Sequence, residues 1–264
     1  MKSALIGFSG FVGSTLLRQT AFTSLYRSTN IGDIENEDFD LVVCAGASAQ
    51  KWLANKEPED DLKNINDLIE YLKKVRCKRF ILISTVDVFR QAGGVDEETL
   101  VELDGLHAYG RHRRLLEIFV EETFSSFLIV RLPGLVGPGL RKNVIFDFLN
   151  KNNLDEIDHR GVFQFYPMVN LWSDIQAALN AGLELVHLTA QPLSVGTVSR
   201  AGFGVEFSNE LSRPVATYDM QTKHAVLFGG AGRYQYSARE TIQAVRFYAQ
   251  SEPVLANVGT GARV

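Results

Sequence analysis

The sequence predicts an α/β fold, a doubly wound parallel sheet followed by a smaller C-terminal α/β subdomain. Three observations point to it. A glycine-rich turn joins an apolar run to a helical pattern at the very start of the chain, and short continuous apolar runs then alternate with helical patterns as far as Arg131. Beyond Gly139 that alternation loosens. Residues 1–150 are therefore expected to form the sheet domain and residues 151–264 the smaller subdomain, which is free to lend elements back to the first.

Composition narrows the partners. Hydrophobic residues make up 45% of the 264 residues and charged residues 22%, with a net charge of -4, as in an ordinary soluble globular protein. No basic excess exists to attract nucleic acid or anionic lipid, so neither is expected. Cys44 and Cys77 are isolated from one another and form neither a metal-ligand cluster nor a disulfide framework; no metal is expected, and a reducing cytoplasm fits best. The apolar N-terminus is too short and too broken by glycine for a secretion signal, and no run has the length to cross a bilayer.

The first strand is read from Ser3 to Phe8. It runs into Gly7, Gly10 and Gly13, with Phe8, Ser9, Phe11 and Val12 between them, and Leu16 and Leu17 continue at helical spacing. Residues without a β-carbon let the backbone approach a pyrophosphate, which then lies on the free N–H groups and positive dipole end of the helix. This is the Rossmann-like use of such a turn, and a dinucleotide is its expected guest. Ser24 to Tyr26 reads as the second strand. An acid near its end would favour NAD, whereas an arginine would meet the extra phosphate of NADP. The chain offers Arg27, Ser28 and Thr29, with no acid before Asp33, so NADP is expected and NAD is the alternative.

Phe39 to Ala45 is a continuous apolar run of the kind a doubly covered parallel strand shows. The small residues Ala45, Gly46 and Ala47 at its end leave room for the adenine half of a cofactor. A helix is expected from Pro58, with Leu62, Ile65, Leu68, Ile69 and Leu72 on one face. Arg79 to Ser84 reads as a strand, a helix starts near Tyr109, and Ser126 to Arg131 is a further strand. In the last part, Val144 to Leu149 and Trp172 to Leu183 read as helices, Lys151 to Arg160 as a polar loop and Leu185 to Leu188 as a short strand. Ala225 to Phe228 reads as a strand, and Ser237 with Glu240 forms a capping box before a helix reaching about Gln250. The Gly-rich tail from Asn257 is expected to fray. Tyr166 and Trp172 read as core aromatics of the subdomain, His107 and His112 as surface or capping histidines, and Asp96, Glu97 and Glu98 as a solvated loop.

Four stretches line up in order. They are the three glycines, Ser84-Thr85-Val86-Asp87-Val88-Phe89 at a strand end, Tyr109-Gly110-Arg111-His112-Arg113 at a helix start, and Arg131-Leu132-Pro133-Gly134-Leu135-Val136-Gly137-Pro138-Gly139. From Met1 to about Leu149 the chain resembles the extended short-chain dehydrogenase/reductase family of nucleotide-sugar epimerases, dehydratases and keto-reductases. Beyond that the likeness is loose, resting on Phe165 to Val169 and the helix containing Asp174.

The resemblance implies an NAD(P)-dependent oxidoreductase or epimerase acting on a nucleotide-activated sugar. Thr85 would hydrogen-bond the reacting oxygen of the substrate, and Tyr109 would exchange a proton with it. A free tyrosine has a pKa near 10, so a nearby cation must help it act near neutral pH. The family carries a lysine four residues on, one helical turn away; here Arg113 stands in that place. Arginine stays charged but does not pass a proton. Family members that remove water carry an acid pair after the threonine, and here those positions are Val86 and Asp87. Keto-reduction is therefore favoured over dehydration. Pro133, Leu135 and Val136 would run past the nicotinamide, and Lys51, Asp87, Arg141 and Asn143 are candidate substrate contacts. A homodimer is the assembly the family suggests. The reading from a different class is a nucleotide-binding sensor or scaffold whose chemistry has weakened.

Overall fold

The computed structural model describes residues 1–255, so the tail expected to fray lies outside the described residues. In chain order the first elements are β1 (Ser3–Ile6), α1 (Phe11–Gln19), β2 (Ser24–Tyr26), β3 (Asp38–Cys44), α2 (Lys51–Lys56), α3 (Pro58–Leu72) and β4 (Arg76–Thr85). Next come β5 (Gly93–Val95), α4 (Ala108–Thr123), β6 (Phe127–Leu132), β7 (Gly134–Val136), α5 (Val144–Asn150), β8 (Val162–Phe163), β9 (Phe165–Pro167) and α6 (Leu171–Asn180). The last are β10 (Leu185–His187), β11 (Leu193–Ser194), α7 (Val195–Val198), β12 (Asp219–Met220) and α8 (Ala238–Ser251).

Two compact units are formed. The first comprises residues 1–90, 97–132 and 171–187; the second comprises residues 91–96, 133–170 and the chain from Leu188 on. The chain thus leaves the first unit after β6 and returns to it for α6 and β10, both beyond residue 150.

The first unit is built on a six-stranded sheet in the order β10-β6-β4-β3-β1-β2, all parallel. The fold is α/β and Rossmann-like, as the alternation predicts. Strands covered on both faces read as unbroken apolar runs, and in β3 the residues Leu41, Val42, Val43 and Cys44 are all buried. Helix α3 starts at Pro58, where a missing N–H costs nothing, and closes its core face with Ile65 and Leu72. After β1 the chain moves outward to β2, then crosses back to β3 on the other side of β1. Such a switch opens a crevice at the carboxyl ends of the two strands.

A buried charge cluster joins β4 and β6 to α4 near the carboxyl ends of the two strands. Arg131 of β6 donates from Nε and Nη2 to Glu117 of α4 at 3.0 and 2.7 Å, and Ser84 of β4 donates to the same carboxylate at 2.5 Å. Removing Glu117 would strand Arg131 in the core, whereas Glu117 keeps a second partner in Arg114 at 3.0 Å. At the opposite ends of the strands, a cavity of about 270 Å³ is ringed by Lys2, Asp38, Asp40, Arg76 and Lys78. Its charges are paired, Arg76 with Asp38 and Lys78 with Asp40 at 2.7 Å each, and Lys2 with neighbouring Glu37.

The second unit contains three two-stranded pairs, β5 with β12, β7 with β9, and β8 with β11. Phe148, Ile157 and Val195 form a small core joined by Phe163, Phe203 and Phe207. Buried Gln164 ties the unit together: its amide donates to Thr189 and to the Ala190 and Met220 carbonyls, and its oxygen accepts from the Met220 N–H. Helix α8 begins with the expected capping box, Ser237 accepting from Glu240 and Glu240 from the Ser237 N–H. The strand expected at Ala225 to Phe228 is instead a 3-10 turn closed by Gly229 at φ +75°. Trp172, read as a subdomain residue, belongs to the first unit and packs edge-on against Phe22. Both thiols are free, and burial pushes each up to about 11. Among the described residues no helix is long and apolar enough to cross a membrane.

Candidate active site

The glycine turn lies at the switch point. The Gly7 N–H donates to the Tyr26 carbonyl at 2.8 Å, and Gly7 takes φ +80°, a conformation that favours glycine. A Cβ on Gly7 would overlap the Ala45 carbonyl at the end of β3, and one on Gly13 would overlap the Gly7 carbonyl. Close packing therefore requires two of the three glycines. Gly10 is different, since a Cβ there would meet only the Gly7 carbonyl at 3.4 Å. Gly10 is also the N-cap of α1, and no side chain caps that helix. An uncapped helix start behind a residue with no side chain is the arrangement a phosphate group fits. Ala45 and Gly46 follow β3 beside this turn, and a Cβ on Gly46 would press Ile6 at 3.0 Å. Arg27 and Ser28 are exposed at the end of β2. The Arg27 guanidinium lies 5.8 Å from the Phe8 ring centre and its Nε donates to Thr29.

Thr85 ends β4 and Tyr109 sits in the first turn of α4. The Thr85 side chain is close enough to Tyr109 to act on its hydroxyl. Three local features hold them together. Gly110 lets α4 lie against the turn after β4, because a Cβ there would overlap the Asp87 carbonyl. His107 caps the helix, its Nδ1 accepting from the Gly110 N–H at 3.0 Å. Asn55 of α2 accepts from the Tyr109 N–H at 3.0 Å. Gly110→Ala should therefore destabilise the chain by about 1–3 kcal/mol, the reverse of the usual gain on filling a helix with alanine. A denaturant melt checks this; an unchanged or raised midpoint would show that the close approach is not needed.

Arg113 lies one turn beyond Tyr109, as its spacing predicts, but its charge is spoken for. Its guanidinium grips both oxygens of Asp61 of α3, with Nη1 at 2.7 Å and Nη2 at 3.0 Å, and Nη2 also donates to the Ser48 carbonyl. The same carboxylate meets Nδ1 of His112 at 2.7 Å. Asp61, His112 and Arg113 are all buried. His112 is thus a core residue rather than a surface one. The guanidinium carbon stands 4.2 Å from the Tyr109 ring centre, a cation–π contact on the ring face. Only a planar fork can bridge a carboxylate, a carbonyl and an aromatic face together, which gives a physical reason for arginine here.

Tyr109 is only 7% exposed. Burial pushes its pKa above the ordinary value and Asp87 adds to this, while Arg113, the Thr85 side chain and Lys51 pull the other way without cancelling it. Near neutral pH the tyrosine is therefore the protonated acid. Burial and Lys51 hold His107 below its ordinary value, so its ring is neutral and free to accept at the cap.

Of the remaining candidates, Lys51 and Asp87 reach this pair, joined to each other at 2.6 Å. Pro133, Leu135, Val136, Arg141 and Asn143 belong to the second unit. There Asn143 caps α5 by accepting from the Ile145 N–H and donates to the Leu135 carbonyl, so its side chain already serves the local fold. Sequence reading passed over Asp61. Asp61 could have been suspected as a lone acid on the apolar face of α3, at i−4 from Ile65.

A doubly wound parallel sheet with a glycine cradle at its switch point and a Thr–Tyr pair at a strand end defines a dinucleotide-dependent enzyme fold. The chain belongs to the NAD dependent epimerase/dehydratase family, whose model matches residues 23–178. No curated relative matches it in sequence. Among solved structures it is similar to a dTDP-4-dehydrorhamnose reductase from Clostridium acetobutylicum, at 17% identity and TM-score 0.68, covering 95% of this chain and 99% of that one. A UDP-glucose 4-epimerase from Thermotoga maritima, solved with UDP-glucose, gives 15% identity and TM-score 0.69 over 95% and 98% of the two chains. TunA, an NAD-dependent NDP-hexosamine 5,6-dehydratase of tunicamycin biosynthesis, gives 18% identity and TM-score 0.73 over 96% and 99%. At such identities the likeness is one of fold.

Proposed function

We propose that this protein is an NADP(H)-dependent reductase of a keto-sugar nucleotide, with Tyr109 as the acid and Thr85 orienting the substrate oxygen. The observation that carries the proposal is the placing of Thr85 at the end of β4 and Tyr109 in the first turn of α4, held against that strand end by Gly110, His107 and Asn55, with the tyrosine kept in its protonated form. A bound nicotinamide supplies a hydride. Thr85 holds the carbonyl oxygen, and Tyr109 gives that oxygen its proton as the carbon is reduced, so one hydroxyl forms per hydride and proton consumed. A tyrosine kept protonated favours this direction over abstraction of a proton from a sugar hydroxyl. The reductase and epimerase neighbours act on nucleotide sugars, and the same substrate class is proposed here.

NADP is proposed over NAD because Arg27 offers its guanidinium beside the turn and no acid stands at the end of β2. Arg27→Gln should weaken NADPH binding roughly tenfold, the worth of one charge-assisted hydrogen bond, and leave NADH binding nearly unchanged. Tighter binding of NADH than NADPH by the unaltered protein would overturn the assignment. Arg141 and Asn143 are proposed near the substrate diphosphate, and a homodimer in a reducing cytoplasm is the proposed setting. The reaction is tested by supplying NADPH with a panel of keto-sugar nucleotides. Oxidation of NADPH that depends on the sugar supports the proposal; none across the panel favours a binding protein without turnover, the reading to which the burial of Tyr109 and the neutralised Arg113 lend weight.

A further inference from the structure

Asp61 lies in the first turn of α3, yet both of its carboxylate oxygens are engaged by α4. Oδ2 accepts from Arg113 Nη1 and meets His112 Nδ1, at 2.7 Å each, and Oδ1 accepts from Arg113 Nη2 at 3.0 Å. The same guanidinium donates to the Ser48 carbonyl in the loop after β3 and lies on the Tyr109 ring, its carbon 4.2 Å from the ring centre. A guanidinium is rigid and planar, so the grip on Asp61 and the bond to Ser48 together fix the plane that meets the ring. Stability alone does not account for this arrangement. Arg113 is 3% exposed, and its Nε–H meets no acceptor among the described residues. A buried donor left unmade is costly, and apolar side chains often replace a buried ion pair without loss of stability. The cluster keeps a charged fork in a pose that leaves one donor unmet, and that pose presents a flat face to Tyr109.

We propose that Asp61 is a positioning residue of the site: it locks the Arg113 guanidinium, and the locked guanidinium holds the Tyr109 ring in place. The catalytic consequence rests on the assignment of Tyr109 as the acid. Asn55 accepts from the Tyr109 N–H and His107 caps the helix, so these contacts fix the backbone from which the ring projects. They leave the ring itself free to turn about its side-chain bonds. The hydroxyl stands at the far end of that ring, where a small rotation becomes a large displacement. A misplacement of about 1 Å can cost on the order of a hundredfold in rate. Arg113 supplies the missing restraint through its contact with the ring face, and Asp61 supplies the restraint on Arg113. The arginine thus serves as a fixed support, for which its charge alone is not sufficient.

Arg113→Lys separates support from charge. Lysine keeps a cation beside Asp61 but cannot grip both oxygens and the Ser48 carbonyl as one plane. The ring is followed by NMR of protein labelled at the tyrosine ring carbons, with the Tyr109 resonance assigned by its loss in Tyr109→Phe. In Asp61→Asn and in Arg113→Lys that resonance should shift and broaden, while those of Tyr26 and Tyr248, buried elsewhere, stay in place. Turnover of NADPH with the keto-sugar nucleotide should fall roughly tenfold to a hundredfold in both variants, with KM for each substrate little changed. Asp61→Asn combined with Arg113→Met removes both charges together, and the two losses of turnover should not multiply, because Asp61 acts through the arginine. A Tyr109 resonance that stays put in both variants overturns the proposal, as do equal shifts of all the tyrosines, full turnover in Arg113→Lys, or losses that multiply. The NMR measurement needs no substrate. If the Tyr109 resonance moves as expected while Tyr109→Phe retains full turnover, the assignment of the acid fails and the support of the ring stands.

Discussion

Asp61→Ala should cost roughly 3–5 kcal/mol of folding stability, the usual penalty for leaving a buried charge without its partner. The residue holds Arg113 through both carboxylate oxygens and His112 through one of them, so its removal orphans a guanidinium and an imidazole in the same buried space. That is a large share of the 5–15 kcal/mol by which a typical domain is stable. Asp61→Asn keeps the shape and loses the charge, and should fall between the two. The pH dependence carries a definite sign. Burial pushes the Asp61 carboxyl upward, but the hydrogen bonds and charges of Arg113 and His112 outweigh it and leave the pKa below the ordinary value. The stability it contributes is complete above the ordinary carboxylate range and is lost as pH falls through the lowered folded value. Acid unfolding of Asp61→Ala should therefore be shallower than that of the unaltered protein. Equal midpoints in urea for the two proteins would show that the cluster does not support the fold.

Tyr109→Phe makes the contrasting prediction. Phenylalanine keeps the ring under Arg113 and gives up only the hydroxyl, so stability should change by about 1 kcal/mol or less. Turnover should fall by about 10²–10⁴, the usual worth of a positioned acid. NADPH affinity should be preserved, because the glycine cradle at Gly7, Gly10 and Gly13 is untouched. A protein that melts like the original, binds NADPH like the original and no longer reduces substrate would isolate the hydroxyl as the chemical group. Simultaneous loss of folding would point instead to a structural tyrosine.

Much of the sheet was legible because its strands are long enough to carry a pattern. Asp38–Cys44 and Arg76–Thr85 have runs no solvent-facing segment would tolerate, and Pro58 and Ser237 mark helix starts by chemistry that needs no tertiary context. Short elements were not legible to the same degree. The strand Leu185–His187 has three residues, and only its pairing beside Phe127–Leu132 places it in the central sheet. Ala225 to Phe228 offered four apolar residues between polar and glycine neighbours, where a strand and a tight turn read alike.

The site divides in the same way. Glycines in a turn, a hydroxyl at a strand end and a tyrosine at a helix start announce themselves locally. Their supports do not, because they arrive from far along the chain: Asn55 is 54 residues from the tyrosine it holds, Asp61 is 52 from Arg113, and Lys51 is 36 from Asp87. The four-residue spacing correctly placed Arg113 beside Tyr109. It could not show that a carboxylate from another helix would take up the charge.

Deuterium tracing decides whether this constellation performs hydride transfer. The protein and its Tyr109→Phe variant are each given NADPH deuterated at the transferring position together with a keto-sugar nucleotide, and the sugar is analysed by mass spectrometry and NMR. Deuterium on the carbon that gains the new hydroxyl, formed by the unaltered protein and lost with the tyrosine hydroxyl, is the predicted result. Sugar that stays unlabelled with both proteins, or is labelled equally by both, would contradict the assignment of Thr85 and Tyr109 to a reductase site.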